Sequence, residues 1–142
     1  MDARHLMKVR FTRLHARIWS LGKGRIGGTM RGGPVLLLKT TGRTSGKTRE
    51  LPLIYIEDGE NLVVVASNGG APDHPSWFKN LVANPVANAR TRAGERAVTA
   101  RVASDAERDR LWPRLDAMYA GYSAYRAKTG REIPIVVLEP RP

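Results

Sequence analysis

Three cations, Arg43, Lys47 and Arg49, surround a turn rich in Gly, Thr and Ser within the stretch Leu36–Leu53. Gly42 and Gly46 permit positive φ, so successive backbone N–H groups can converge on an anion. Thr41, Thr44 and Ser45 add hydroxyl donors, and Arg43 can grip an oxyanion through two parallel hydrogen bonds. This is the chemistry of a phosphate or carboxylate cradle, although the strict spacing of a phosphate-binding loop is absent. An ordinary solvated hairpin tip uses the same residue types, and this stretch alone leaves both readings open. Apolar runs enter and leave the turn, which places the cations at the tip of a predicted β-hairpin. With a side-chain period of two, residues 47, 49, 51 and 53 share one face. A positive surface then passes into an apolar one, matching a ligand with an acidic tail and a flat, apolar head.

The elements that must position this tip follow from periodicity and turn signals. Met7, Phe11, Leu14, Ile18 and Leu21 recur helically, predicting a cationic amphipathic helix over 3–21 that packs on protein or lies on an anionic membrane. Residues 22–33 read as a Gly-rich connector. Its Gly22, Gly24 and Gly27 follow a helix rather than a strand, so a dinucleotide-binding fingerprint is rejected. Strands are expected over 35–41, 48–57 and 61–67, the last two joined by Asp58-Gly59. The small residues Ala66 to Gly70 would let a ligand approach the backbone, and Pro75 starts a short helix, Ser76 to Val82. Two more strands, 86–92 and 95–103, precede a helix opened by a Ser104/Glu107 capping box and kinked or divided at Pro113. A last strand spans Ile133 to Leu138, where Pro134 implies an edge position or a late start. The fold class is mainly β with flanking helices (α+β), and six antiparallel strands of this length more readily close into a small barrel than lie open.

At 142 residues the chain is long enough for one domain with a real core. The division expected is 1–33, amphipathic helix and connector, then 34–142, the barrel. A net charge of +11 implies attraction to something acidic: nucleic acid, anionic lipid or a polyanionic ligand. Without cysteine there is no disulfide framework or thiolate nucleophile, and His5, His15 and His74 are too scattered for a metal site. No apolar stretch approaches the roughly 20 residues that span a bilayer, and no signal core is present. The expectation is a cytoplasmic protein, or one held peripherally on the inner face of the cell membrane through residues 3–21. An exposed apolar helix is also compatible with a homodimer.

Five segments in order resemble the deazaflavin-dependent nitroreductase family: Thr40 to Gly46; Arg49 with Pro52-Leu53; Ala66 to Gly70; Pro75 to Leu81 with Asn84-Pro85; and Trp112-Pro113, Met118-Tyr119, Tyr122, Tyr125 and Ile133 to Val137. The resemblance implies a split β-barrel, like that of FMN-binding proteins, holding coenzyme F-420, an 8-hydroxy-5-deazaflavin with a phosphate and a glutamate tail. It implies that Arg43, Thr44, Ser45, Gly46, Lys47 and Arg49 hold the phosphate and tail carboxylates. Pro52, Leu53 and Ile54 would lie along the ring, and Ala66, Ser67 and Asn68 would present backbone and polar groups to its edge. Ser76, Trp77, Phe78, Lys79 and Asn80 would close the site. Tyr119, Tyr122 and Tyr125 would line the side where a small-molecule acceptor binds, a phenol stabilising developing negative charge; packing alone is their other reading.

The activity implied is hydride transfer from the reduced coenzyme to an electron-poor acceptor such as a quinone, nitroaromatic or conjugated enone. Thr44 and Asn68 stand where family members often carry Lys, and Ile54 where some carry an aromatic, so action on nitro compounds does not follow from the fold. The rival cofactor is FMN on the same barrel. A nucleic-acid partner is disfavoured because only 6% of residues are aromatic and most of those fall in helices.

Overall fold

The computed structural model describes Thr29, Met30 and residues 33–142, so the predicted helix over 3–21 lies outside the described residues. Among the described residues there are eight strands: β1 (Thr29–Met30), β2 (Gly33–Thr41), β3 (Thr48–Ile54), β4 (Ile56–Asp58), β5 (Asn61–Val65), β6 (Val86–Thr91), β7 (Gly94–Val102) and β8 (Ile135–Pro140). Helix α1 (Ser76–Ala83) lies between β5 and β6, and α2 (Asp105–Met118) and α3 (Gly121–Lys128) lie between β7 and β8. Thr29 and Met30 pair with Pro34 and Gly33, so part of the predicted connector is strand.

All pairs are antiparallel, in the order β2-β6-β7-β8-β5-β4 with β3 also on β2. Only Tyr55 separates β3 from β4. The stretch predicted as one strand therefore pairs with β2 through residues 48–54 and with β5 through 56–58. It meets both ends of the run and closes six strands into a barrel. The interruption at Tyr55, whose N–H donates to the Pro34 carbonyl at 3.1 Å, is where the chain leaves one neighbour for the other.

Because side chains alternate across a strand, closure yields two cores. Leu36, Leu38, Leu62, Val64, Ala87, Ala89, Val98, Val136 and Leu138 fill the interior. Val35, Leu37, Val63, Val65, Ile135 and Val137 face outward and are covered by Leu111, Leu115 and Tyr122 of α2 and α3. Strands covered on both faces read as continuous apolar runs, as 63–65 and 135–138 do. β8 lies between β7 and β5, so Pro134 marks a late start and not an edge; its carbonyl accepts from Ala66 N–H at 3.0 Å. Helix α1 plugs one end of the barrel with Trp77, Phe78 and Leu81.

Pro113 does not divide α2. Leu111 and Leu115 on either side of it are fully buried, and this packing holds the helix together across the missing donor. The division falls later, at Tyr119, whose backbone is extended. No described helix is long and apolar enough to cross a membrane.

At the start of α2 both halves of the capping box are made: Glu107 N–H donates to Ser104 Oγ at 3.3 Å, and Ser104 N–H donates to Glu107 Oε1 at 2.9 Å. Arg101 of β7 donates to both oxygens of the same carboxylate, at 2.6 and 2.9 Å. These bonds, Arg101's first and the Ser104 amide's next, pull the Glu107 carboxyl from 4.5 down to about 2. Its contribution to stability is thus present in full above pH 4.5 and lost as pH falls from there toward 2. Chemical unfolding of Glu107→Ala at pH 7 is expected to show a loss of about 1–2 kcal/mol, with a smaller gap from wild type at pH 3.

Candidate functional site

The cationic tip is shaped by its own hydrogen bonds. Gly42 N–H donates to the Lys47 carbonyl at 2.7 Å, and Gly46 N–H donates to the Gly42 carbonyl at 2.9 Å. Gly46 has φ +70, and a Cβ on Gly42 would sit 2.8 Å from Ser45 Oγ and 3.2 Å from the Lys47 carbonyl, so neither glycine tolerates a side chain without distortion. Residues 43–49 are all exposed.

Arg43, expected to grip an anion, is turned onto the protein. Its backbone N–H and its Nη1 both donate to Asn80 Oδ1, at 3.1 and 2.8 Å, and Nη1 also reaches the Ser76 carbonyl at 3.4 Å. Asn80 is 5% exposed, so a buried side-chain amide of α1 fixes the tip against the barrel end. Lys47 and Arg49 stay exposed and make no ion pair among the described residues. Along the face that they begin, Leu51 and Leu53 are half-buried and pack against the interior core, while Pro52 and Ile54 on the other face are buried, Ile54 in the outer core. Only the second half of β3 is covered by protein; Thr48, Arg49 and Glu50 remain exposed.

A second loop, Ala66–Ala71, lies at the same end, because β5 ends at Val65 where β8 begins at Ile135. Ser67 is right-handed (φ −77, ψ −34), while Asn68, Gly69 and Gly70 have φ of +48, +64 and +79. A Cβ on Gly70 would lie 3.2 Å from the backbone of Tyr125, so the loop is packed directly beneath α3. Asn68 Nδ2 donates to the Asp73 carbonyl at 3.0 Å. Arg131 donates to the carbonyls of Ser67 (2.8 Å), Ala71 (2.9 Å) and Ala66 (3.3 Å), and its Nη1 lies 3.0 Å from His74 Nδ1. His74 in turn packs on Phe78, ring centroids 4.8 Å apart. Burial first, and then the charge of Arg131, hold the His74 imidazole below the ordinary histidine value, so it is neutral and accepts through Nδ1. No group of three or more His, Cys, Asp or Glu among the described residues could hold a metal.

The three tyrosines come together although they do not share one helix. Tyr119 ends α2 and the other two lie on α3, with centroids 5.0 Å (119 to 122), 5.9 Å (119 to 125) and 6.5 Å (122 to 125) apart. Tyr122 is 3% exposed and belongs to the outer core. Tyr119 and Tyr125 are half-buried, their hydroxyls 2.8 Å apart. The Tyr119 ring lies so close over Gly121 that a Cβ there would fall 2.3 Å from it.

These contacts form one continuous rim: tip, Asn80 and α1, His74, Arg131, loop 66–71, Tyr125, Tyr119. Of the remaining predicted residues, Ser76 is exposed and Lys79 half-buried, whereas Trp77 and Phe78 point into the barrel. A separate apolar groove of about 170 Å³ between α1 and β7 is lined by none of the predicted residues except Phe78. Sequence reasoning missed Arg131 and His74. Arg131 carries no local motif, and its partners lie 57 to 65 positions away. Asn80 carried a signal, a polar residue on the buried face of an apolar helix.

Residues 11–140 match the family model described as F420H(2)-dependent quinone reductase. The chain belongs to this family. An F420H(2)-dependent quinone reductase of Mycobacterium tuberculosis, Rv1261c, is 39% identical over 137 residues, covering 94% of this chain and 92% of that protein. The solved structure of an F420-H2 dependent reductase, FDR-A, superposes with a TM-score of 0.66 at 38% identity, covering 75% of this chain and 94% of the other. A structure described as a domain-swapped dimer gives a TM-score of 0.68 at 35% identity, covering 87% and 93%. The family resemblance read from the five segments is therefore shown, and the split-barrel fold with it.

In this quinone reductase family member the Arg43–Asn80 contact is the joint between tip and barrel. Asn80→Ala should destabilise the fold by about 0.5–1.5 kcal/mol, because the two hydrogen bonds from Arg43 are lost while its exposed donors can turn to water. Amide hydrogen exchange at residues 42–47 should accelerate in the same variant. His74 adds a pH signature: the unfolded chain takes up a proton near pH 6.5 that the folded imidazole resists, so stability should decline as pH falls below that value. That decline should flatten in His74→Asn.

Proposed function

We infer that the protein is an F-420-dependent oxidoreductase that passes a hydride from the reduced coenzyme to a quinone. The observation that carries this reading is that the family match includes every segment meeting at the rim, from the tip to the tyrosines. The donor set fits the coenzyme: exposed Lys47 and Arg49, with the hydroxyls and amides of Thr44 and Ser45, suit a phosphate and several carboxylates, while Gly46 shapes the turn. When bound, reduced F-420 supplies two electrons and a hydrogen nucleus in one step, so the work left to the chain is holding donor and acceptor together and excluding water.

The residues divide that work as follows. Lys47 and Arg49 bind the acidic tail, while Arg43, held by Asn80, sets the position of the tip. Ala66, Ser67 and Asn68 meet the ring edge with backbone groups. Trp77 and Phe78 support the site from inside the barrel, with Ser76 and Lys79 on the open side of α1. Pro52, Leu53 and Ile54 act from beneath, as packed sheet. The Tyr119–Tyr125 hydroxyl pair faces the acceptor and donates a hydrogen bond to the oxygen on which negative charge develops; Tyr122 holds the pair in place. Nitroaromatics and conjugated enones are further acceptors of the same electron-poor class. Residues 3–21 would give contact with an anionic membrane surface, and a second copy of the chain is the other partner this reading admits.

Titration with reduced F-420, with FMN and with the deazaflavin ring lacking its tail tests the assignment. Lys47→Ala with Arg49→Ala should weaken the full coenzyme by about 10- to 100-fold and leave the tail-less ring unaffected. Tighter binding of FMN than of F-420 would overturn the cofactor, and unchanged F-420 affinity in the double variant would overturn the tail site. Tyr125→Phe should lower kcat with a quinone by about tenfold or more, with the coenzyme's KM unchanged.

A further inference from the structure

Arg131 lies outside all five family-like segments, yet more of loop 66–71 hangs on it than on any other described side chain. Nη2 donates to the carbonyls of Ser67 at 2.8 Å and Ala66 at 3.3 Å, Nε donates to that of Ala71 at 2.9 Å, and Nη1 meets His74 Nδ1 at 3.0 Å. The guanidinium thus ties both ends of a turn that contains three consecutive positive φ values, one of them at Asn68. Gly69 and Gly70 adopt such values freely, so only Asn68 carries a conformational cost, and the flexible turn depends on its surroundings to hold one shape. Arg131 is half-buried, and that burial works against its charge, so the charge is kept where carbonyl oxygens surround it.

The orientation of the loop's donors follows from peptide geometry. In a planar trans peptide the carbonyl and the next residue's N–H point in opposite directions. Drawing the Ala66 and Ser67 carbonyls onto the guanidinium therefore turns the N–H groups of Ser67 and Asn68 away from it. Ser67 is right-handed and Asn68 left-handed, the alternation that brings successive N–H groups to one concave side. An amide whose carbonyl accepts from a cation is polarised into a stronger donor. The tip and the tyrosines lie on the same rim as this concavity.

We propose that Arg131 is a positioning residue for hydride transfer. Acting through the carbonyls of Ala66, Ser67 and Ala71, it holds the Ser67 and Asn68 amides as a two-donor site for the electron-rich edge of the deazaflavin ring. The proposal rests on the coenzyme reading above and adds to it a residue that acts through the loop's carbonyls, with His74 and the Glu132 carbonyl as its other partners.

The test uses the full-length protein with F-420 and with the ring lacking its tail. Arg131→Ala should weaken both by the same factor, about tenfold or more, whereas the Lys47/Arg49 double variant weakens only the full coenzyme. Free guanidinium ion, added well below denaturing concentration, should restore ring affinity to Arg131→Ala and leave wild type unchanged, a rescue that a general loss of stability would not show. Arg131→Lys keeps the charge but donates from a single nitrogen and cannot span Ala66, Ser67 and Ala71; it should bind the ring as weakly as the alanine variant, and it serves if that variant does not fold. Wild-type ring affinity in Arg131→Lys, or in a folded Arg131→Ala, would overturn the positioning role while leaving the coenzyme reading intact. Failure of wild type to bind either form would overturn both.

Discussion

The stretch from Thr48 to Asp58 pairs with β2 through its first seven residues and with β5 through its last three, and the rest of the molecule depends on that double pairing. A strand that serves two neighbours removes both edges of the sheet at once. It also commits alternate side chains of every strand to one of two cores, so Leu36 and Leu38 face inward while Val35 and Leu37 lie beneath α2 and α3. Fully burying each such side chain is worth about 1.5–3 kcal/mol, and a single slip in register would exchange the two sets. The break at Tyr55 is thus the bend that closure requires.

Closure also explains where the candidate site lies. The ends of β2 and β5 and the starts of β3, β6 and β8 gather at one end of the barrel, where α1 supplies the plug. Loops leaving that end are short and held by rigid strands, the usual arrangement for binding residues. What joins them is polar: a buried asparagine amide accepts from the tip, and a guanidinium gathers three carbonyls of the next loop. Buried polar contacts of this sort are costly to leave unmade, and so they specify one arrangement among several that apolar packing alone would permit.

Electrostatics divide along similar lines. Most described arginines outside the tip are engaged, with Arg101 on Glu107 and Glu139, Arg110 and Arg114 on Asp58, Arg126 on Asp116 and Arg108 on Glu132. Exposed pairs of this kind contribute little stability each, but they neutralise charge locally. Lys47 and Arg49, by contrast, make no ion pair among the described residues and leave positive charge exposed at the tip.

Sequence by itself determined whatever depends on neighbours within a few positions. The hairpin turn at Asp58-Gly59, the capping box of Ser104 and Glu107, the short helix after Pro75 and the exposed cationic hairpin tip at 42–49 were all legible, because turn chemistry, capping and side-chain period are local. The order of five short segments was enough to place the chain in its family. Only the tertiary structure decided what depends on distant partners. It kept α2 continuous through Pro113, moved the helix break to Tyr119 and turned Leu51 and Leu53 into the barrel. It gave Arg43 to Asn80, and it brought Arg131 to a loop some sixty residues earlier. The physical reason is that burial and closure are properties of the whole sheet: which face of a strand meets solvent, and which guanidinium meets which carbonyl, is settled only when the two ends of the barrel meet.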